Sequence, residues 1–301
     1  MIRLPLALIA LCIATASGAN ESAAPDLSSF RAAIHGAVSE RVIAGAAWWV
    51  EHAGHAAHGS DGFRTKTPQE ERITDDTIFD LASLTKVLAT APCIMLLVER
   101  GQVKIESAVR DYLPEFSGEG RERITVRHLL THTSGLKPSL PQEPAWSGRE
   151  TGIRMACEAV PANAPDAEFR YSDINFILLG EIVRRVSGQP LDRFAREHLF
   201  GPLGMRDTGF TPDAALRPRI AATAKDENGM MLRGIVHDPT ARRMGGVAGH
   251  AGLFSTAADV ARYARMILNG GELGGVRIFQ SATVKQMTSI HTPPAMADRR
   301  A

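Results

Sequence analysis

Apolar residues return at regular intervals in the first part of the chain, and the interval changes along it. Within residues 25–41 they lie four residues apart, which predicts an amphipathic helix built on Phe30, Ile34 and Val38. Residues 43–50 are rich in Ala, Val and Trp, and with residues 54–62 they predict a hairpin of two strands. A helix followed by a hairpin is typical of a sheet edge with a helix on its face.

The most apolar predicted helix covers residues 84–99. Its apolar residues occupy most of its surface, so we expect it to be buried. Asp80 or Ser83 is placed to cap its start, and Gly101 stands where a left-handed residue ends a helix. Further helices are predicted over residues 125–132, 174–186, 191–199 and 256–268, and the segment 137–148, with its Pro and Gly residues, predicts a surface loop.

Composition and charge narrow the class of protein. The length of 301 residues allows one large domain or two small ones, and 44% hydrophobic with 22% charged residues is typical of a soluble globular protein. The formal net charge is +1, and Lys and Arg are scattered rather than clustered. A nucleic-acid partner is therefore not expected.

The first 19 residues predict a secretory signal peptide. Arg3 precedes the apolar run 4–13, and small residues follow over 14–19. The run is too short to span a bilayer, so we expect a periplasmic or secreted protein with at most a transient membrane association through this segment. The alternative is an uncleaved membrane anchor. Cys93 and Cys157 lie in apolar, helical runs, which favours buried thiols over a disulfide.

Candidate chemistry begins at Ser83-Leu84-Thr85-Lys86. Ser83 lies at the start of the buried helix, and the amine of Lys86 lies one turn later on the same face. A serine needs a neighbouring base to become a nucleophile, and the helix N-terminus adds positive potential where an oxyanion forms. A second S-x-x-K, from Ser134 to Lys137, lies in a turn without an apolar helix behind it, so we interpret that copy as loop sequence.

Three more segments follow this motif in a characteristic order. They are residues 129–136 (LLTHTSGL), Tyr171-Ser172-Asp173 before residues 175–180 (NFILLG), and residues 252–256 (GLFST) before a helix. In this order the chain resembles the beta-lactamase-related serine hydrolases over about residues 25–290. That family includes class C beta-lactamases, D-alanyl-D-alanine carboxypeptidases and esterases.

The resemblance implies an α+β, beta-lactamase/transpeptidase-like fold over residues 20–301, in which helices flank an antiparallel sheet and an all-helical region closes the active-site cleft. Ser83 would form an acyl-enzyme with an ester, peptide or beta-lactam substrate, and its amide would supply half of the oxyanion hole. Tyr171 would lie close enough to Lys86 to exchange a proton with Ser83. The implied partner is a small-molecule or peptidoglycan-derived acyl substrate, without a metal or organic cofactor. An esterase or peptidase-like activity is favoured over a dedicated beta-lactamase.

The sequence departs from the family pattern at two places, which affect the role of Asp173 and the expected C-terminal strands. Asp173 stands where the family often has Asn, so a substrate-binding and a structural role both remain open for it. The family also carries a Lys/His-Ser/Thr-Gly strand late in the chain. His250-Ala251-Gly252 resembles it only superficially, because Gly252 already belongs to the segment before the last helix. We therefore expect the C-terminal strands to be missing, and the alternative function is a catalytically silent homologue that binds cell-wall fragments or a partner.

Overall fold

A helix and a hairpin form the first part of the structure, as predicted. The computed structural model describes residues 26–226 and 228–292, so the predicted signal peptide lies outside the described residues. Helix α1 (Ser28–Ser39) packs on a hairpin of β1 (Gly45–His52) and β2 (His55–Thr65), with Phe30 edge-on to Trp48 at 5.2 Å between ring centres. Strand β3 (Glu71–Arg72) completes an antiparallel sheet in the order β1-β2-β3.

The predicted buried helix runs from Ala82 to Glu99 and is called the Ser83 helix below. It opens with a 3₁₀ turn (Ala82–Leu84), continues through a π-helical turn (Lys86–Thr90) and ends as α2 (Ala91–Glu99). By length and composition it is apolar enough to cross a membrane, but 61% of it is buried, which identifies it as a core helix. Gly101 follows it with a φ of +69°, as predicted for a C-terminal glycine.

Several helices follow the Ser83 helix in the chain. They are α3 (Val126–Leu130), α4 (Arg149–Glu158), α5 (Asp173–Ser187) and α6 (Leu191–Ala195) with a π-helical continuation (Arg196–Phe200), besides 3₁₀ turns at Val109–Asp111, Arg121–Arg123 and Ala214–Arg219. Helix α5 packs against the Ser83 helix, α3, α4 and α6. Its Glu181 is buried and accepts hydrogen bonds from Arg149, Arg184 and Arg185, which ties α5 to α4. The cysteines Cys93 and Cys157 are free and buried, as predicted.

A second small sheet brings distant parts of the chain to the start of the Ser83 helix. Strand β4 (Phe79–Asp80) pairs antiparallel with β6 (Leu253–Ser255), which also pairs with β5 (Gly209–Phe210). Strand β4 leads into Ser83, and β6 directly follows residues 244–252. Because β4 and β6 are paired, residues 244–252 lie against the start of the Ser83 helix. The remaining elements are α7 (Pro239–Arg243), α8 (Ala257–Leu268), β7 (Glu272–Leu273), β8 (Val276–Arg277) and α9 (Ser281–Met287).

Candidate active site

Ser83 is an exposed residue on a tightly held turn. Ala82 before it has a φ of +46°, in the left-handed region that a residue with a Cβ rarely adopts. Asp80 holds this turn: one carboxylate oxygen accepts the Ala82 N–H at 2.9 Å, and the other accepts the His237 N–H at 2.7 Å. Burial raises the pKa of Asp80, and these two hydrogen bonds oppose the rise. The Ser83 turn is therefore fastened to the loop around residue 237.

Lys86 is buried beneath Ser83, and its side chain is only 3% exposed. Its Nζ donates to Ser83 Oγ at 3.1 Å, to Asp173 Oδ1 at 2.7 Å and to the carbonyl oxygen of His250 at 3.0 Å. Three acceptors match the three hydrogens of an ammonium group, and one of them is a carboxylate. The geometry therefore describes Lys86 as a charged donor whose hydrogen-bonding capacity is used in full.

Tyr171 lies beside this amine. The centre of its ring is 4.8 Å from Lys86 Nζ, within the range of a cation–π contact. Tyr171 is 39% exposed. Its hydroxyl makes no hydrogen bond to any other residue in the described ranges 26–226 and 228–292. The Tyr171 hydroxyl is therefore without a hydrogen-bond partner among the described residues, and its ring lies beside the amine that contacts Ser83.

A buried polar network supports the Tyr171 loop. The ring of His132 contacts that of Tyr171, with 4.5 Å between centres, and its Nδ1 accepts hydrogen bonds from the Ser172 N–H (3.1 Å) and Asn175 Nδ2 (3.3 Å). The Oδ1 of Asn175 accepts the Ser134 hydroxyl at 2.7 Å. Burial, together with the charge on Lys86, lowers the pKa of His132 to about 4, so its imidazole is neutral at pH 7.

Two carboxylates and a histidine lie close together next to Lys86. Asp173, Asp238 and His250 each bring a ligand atom within 4.8 Å of the others, which is a possible metal-ligand arrangement. The ammonium of Lys86 already hydrogen-bonds to Asp173 and to the His250 carbonyl, and it would repel an added cation. These residues are therefore suited to neutralise Lys86 rather than to hold a metal.

The structure brings together all four residues that the sequence singled out: Ser83, Lys86, Tyr171 and Asp173. Of the two roles open for Asp173, substrate binding and a structural one, the structure favours the structural role, because Asp173 Oδ1 accepts a hydrogen bond from Lys86 Nζ. Ser134, in the second S-x-x-K, lies in a loop as predicted and is only 1% exposed. Sequence reasoning named Asp80 only as a possible helix cap and His250 only in a rejected motif, and it gave no supporting role to His132, Asn175 or Asp238.

Some of those residues carried a signal that could have been used. His132 lies inside the quoted segment LLTHTSGL, and His250 lies in a run of glycines, a setting in which a bulky polar side chain needs a partner. The close packing of that run is visible at Gly249, where an added Cβ would lie 1.9 Å from the Phe176 carbonyl of α5. Glycine is required here by the contact between two backbones.

Comparison with known proteins adds family information. Residues 30–301 match the protein family described as Beta-lactamase. A protein of Escherichia coli (strain K12) named putative D-alanyl-D-alanine carboxypeptidase is 34% identical over 252 residues, covering 73% of this chain and 57% of that protein. A protein of the same name from Salmonella schwarzengrund is 32% identical over 248 residues, with 72% and 57% covered. The chain thus spans less than three fifths of the length of these relatives.

Solved structures share the fold at lower identity. The octameric penicillin-binding protein homologue from Pyrococcus abyssi has a TM-score of 0.72 and 24% identity, over 88% of this chain and 60% of that one. A class C beta lactamase from Rhodobacter sphaeroides has a TM-score of 0.68 and 23% identity, over 86% and 69%. The predicted α+β, beta-lactamase/transpeptidase-like fold is confirmed by these neighbours and by the helices and antiparallel sheets described above.

Proposed function

Because the chain belongs to the beta-lactamase family, whose named members here are serine hydrolases of the carboxypeptidase and beta-lactamase type, we propose that Ser83 is its nucleophile and forms an acyl-enzyme. The observation that carries the proposal is the 3.1 Å hydrogen bond between an exposed serine hydroxyl and the buried amine of Lys86. A reachable hydroxyl held by a neighbouring amine suits a serine nucleophile, which needs adjacent groups to activate it.

The proton of Ser83 needs a base when its Oγ attacks a carbonyl carbon. Lys86 donates three hydrogen bonds and has no free lone pair in this arrangement, so we assign the proton to the Tyr171 oxygen. In this step Tyr171 acts as a phenolate, which takes the Ser83 proton and becomes a phenol, and the Lys86 ammonium, 4.8 Å from the ring centre, stabilises the negative charge that it carries beforehand. The leaving group then takes the proton from Tyr171, and water later hydrolyses the ester on Ser83.

The developing oxyanion needs donors. Ser83 is the second residue of its helix, and the first N–H groups of a helix have no acceptor within the helix. Its main-chain amide is therefore suited to stabilise negative charge on the substrate carbonyl, and the removal of one such donor typically costs on the order of 10²–10³ in rate.

The substrate class follows from the relatives. We propose a small-molecule or peptidoglycan-derived acyl compound, with a D-alanyl peptide as the first to test because the curated relatives are named putative D-alanyl-D-alanine carboxypeptidases. Such a substrate fits the export predicted from the first 19 residues, so we also propose a periplasmic or secreted location.

Labelling tests the nucleophile directly. The protein is treated with a fluorophosphonate or a fluorescent penicillin, and the adduct is located by mass spectrometry. We expect the label on Ser83, its loss in Ser83→Ala, and its retention in Ser281→Ala, a control at the exposed start of α9. A label on Ser134 would assign the chemistry to the other S-x-x-K. No label with either probe, together with binding of cell-wall fragments, would support the silent homologue instead.

A further inference from the structure

A histidine–aspartate pair, the buried His250 with Asp238, lies next to Lys86. The imidazole of His250 is 1% exposed, and its Nε2 lies 2.9 Å from Asp238 Oδ1. Asp238 is itself fixed as the N-cap of α7, because the same oxygen accepts the Ala241 N–H at 2.7 Å. The main-chain carbonyl of His250 is the third acceptor for Lys86, at 3.0 Å.

We propose that the Asp238 and His250 side chains position Lys86 by orienting this carbonyl, so that both are positioning residues for the reaction at Ser83. The inference rests on the proposed function. It assigns to this pair a role that the family match does not give to either residue.

The backbone around His250 explains why a side-chain anchor is needed. Gly249 and Gly252 flank it closely, and Gly252 has a φ of +114°, which residues with a side chain rarely adopt. Glycines leave a backbone more freedom than other residues do. The loop is fastened before His250 by the Thr90 hydroxyl, which donates to the Gly249 carbonyl at 2.6 Å, and after it by the Leu253 N–H, which donates to Thr85 Oγ1 at 3.1 Å. The His250 side chain adds an anchor at the residue whose own carbonyl meets Lys86.

The chemistry of the imidazole argues against a purely structural role. Donation from Nε2 to Asp238 leaves Nδ1 with a lone pair, and this buried atom has no hydrogen-bond partner among the residues that the structure describes. An unpaired buried polar atom costs free energy, which an apolar side chain of similar size would avoid. Stability alone therefore does not favour histidine at this position, whereas the orientation of the Lys86 acceptor does.

Two substitutions separate these roles. His250→Gln keeps an amide N–H near the position of Nε2, and His250→Leu removes the donor while filling the space. We expect His250→Leu to slow acylation of Ser83 on the order of 10²-fold, the effect of a small displacement of a catalytic group. His250→Gln should stay within about tenfold of the wild type, the value of one hydrogen bond. With a p-nitrophenyl ester the acylation rate is measured from the pre-steady-state burst of p-nitrophenol, and the loss should fall on that rate constant while the substrate dissociation constant stays nearly unchanged.

A matched control exists elsewhere in the fold. His128 is also a buried histidine paired with an aspartate, with its Nε2 3.1 Å from Asp166 Oδ2, and it makes no contact with Lys86. His128→Gln should leave the acylation rate unchanged. If His250→Leu acylates as fast as the wild type, or if its loss only follows the fraction of unfolded protein in a thermal melt, the positioning role is wrong.

A readout that does not need activity keeps this inference separate from the proposed function. A buried ammonium with three acceptors gives a slowly exchanging Nζ signal in ¹H–¹⁵N NMR. The Lys86 signal, assigned by its loss in Lys86→Met, should shift or broaden in His250→Leu and persist in His250→Gln. An unchanged signal in His250→Leu would overturn the inference even if Ser83 is labelled. The expected shift in a protein that takes no label would leave the positioning intact and contradict the proposed function alone.

Discussion

Asp173 offers the sharpest test of how Lys86 is held. Its Oδ1 lies 2.7 Å from Lys86 Nζ, and the two side chains are 25% and 3% exposed. Asp173→Leu removes one of three acceptors and the counter-charge, whereas Asp173→Asn keeps an acceptor oxygen in the same place. Loss of one partner from a fully buried ion pair costs about 3–5 kcal/mol. Since water reaches Asp173 in part, we expect the free energy of unfolding to fall by about 2–3 kcal/mol in Asp173→Leu and by roughly 1 kcal/mol in Asp173→Asn.

Urea unfolding measures these free energies, and labelling of Ser83 measures the functional effect. Asp173→Leu should acylate on the order of 10² times more slowly than the wild type, and Asp173→Asn within about tenfold. Asp207→Asn is the matched control, because Asp207 pairs with Arg219 at 2.7 Å with both side chains 30% exposed, away from Lys86. It should lose stability without losing acylation rate. If Asp173→Leu matches the wild type in both measurements, Asp173 does not hold Lys86 and the reasoning fails.

Two further predictions concern the Tyr171 loop. Tyr171→Phe keeps the ring beside Lys86 but removes the hydroxyl, so the rate of acylation of Ser83 should fall about 10²–10⁴-fold. The free energy of unfolding in urea should change by less than about 0.5 kcal/mol. A fully active Tyr171→Phe would exclude the phenol as base. The pKa of His132 falls from 6.5 to about 4 in the folded protein because of burial, so the unfolded chain binds the extra proton between these values. The contribution of neutral His132 to the free energy of unfolding is therefore complete above pH 6.5. It is lost as the pH falls towards 4, by up to about 3 kcal/mol. His132→Gln, which does not titrate, should flatten this part of the urea-unfolding profile, and an equally steep profile would assign the loss to other groups.

Helical periodicity predicted the local part of the site, the approach of Tyr171 to Lys86 was expected only from the family resemblance, and the buried contacts that support both were not predicted. The spacing of Ser83 and Lys86 within an apolar run was sufficient to place both on one face of a buried helix, because helical periodicity is a local property. The turn before α5 likewise placed Tyr171 and Asp173 near each other.

The third acceptor of Lys86 had no such local signature. It is a main-chain carbonyl, that of His250, 164 residues away, and every residue carries a carbonyl. Which carbonyl meets the amine is decided by the pairing of β4 with β6 and by the close approach of Gly249 to α5. Contacts of this kind depend on how elements pack, and apolar periodicity reports only which face of each element is buried.

The saturation of Lys86 also bears on how ligands can be recognised here. All three N–H groups of the Lys86 ammonium already donate to protein acceptors, so carboxylate or phosphate groups on an inhibitor would gain no direct hydrogen bond from it. A ligand that reaches Ser83 would instead contact exposed groups beside the buried amine, such as the ring of Tyr171, which is 39% accessible. Selectivity should accordingly be sought in those exposed groups and not in the charged groups buried around Lys86.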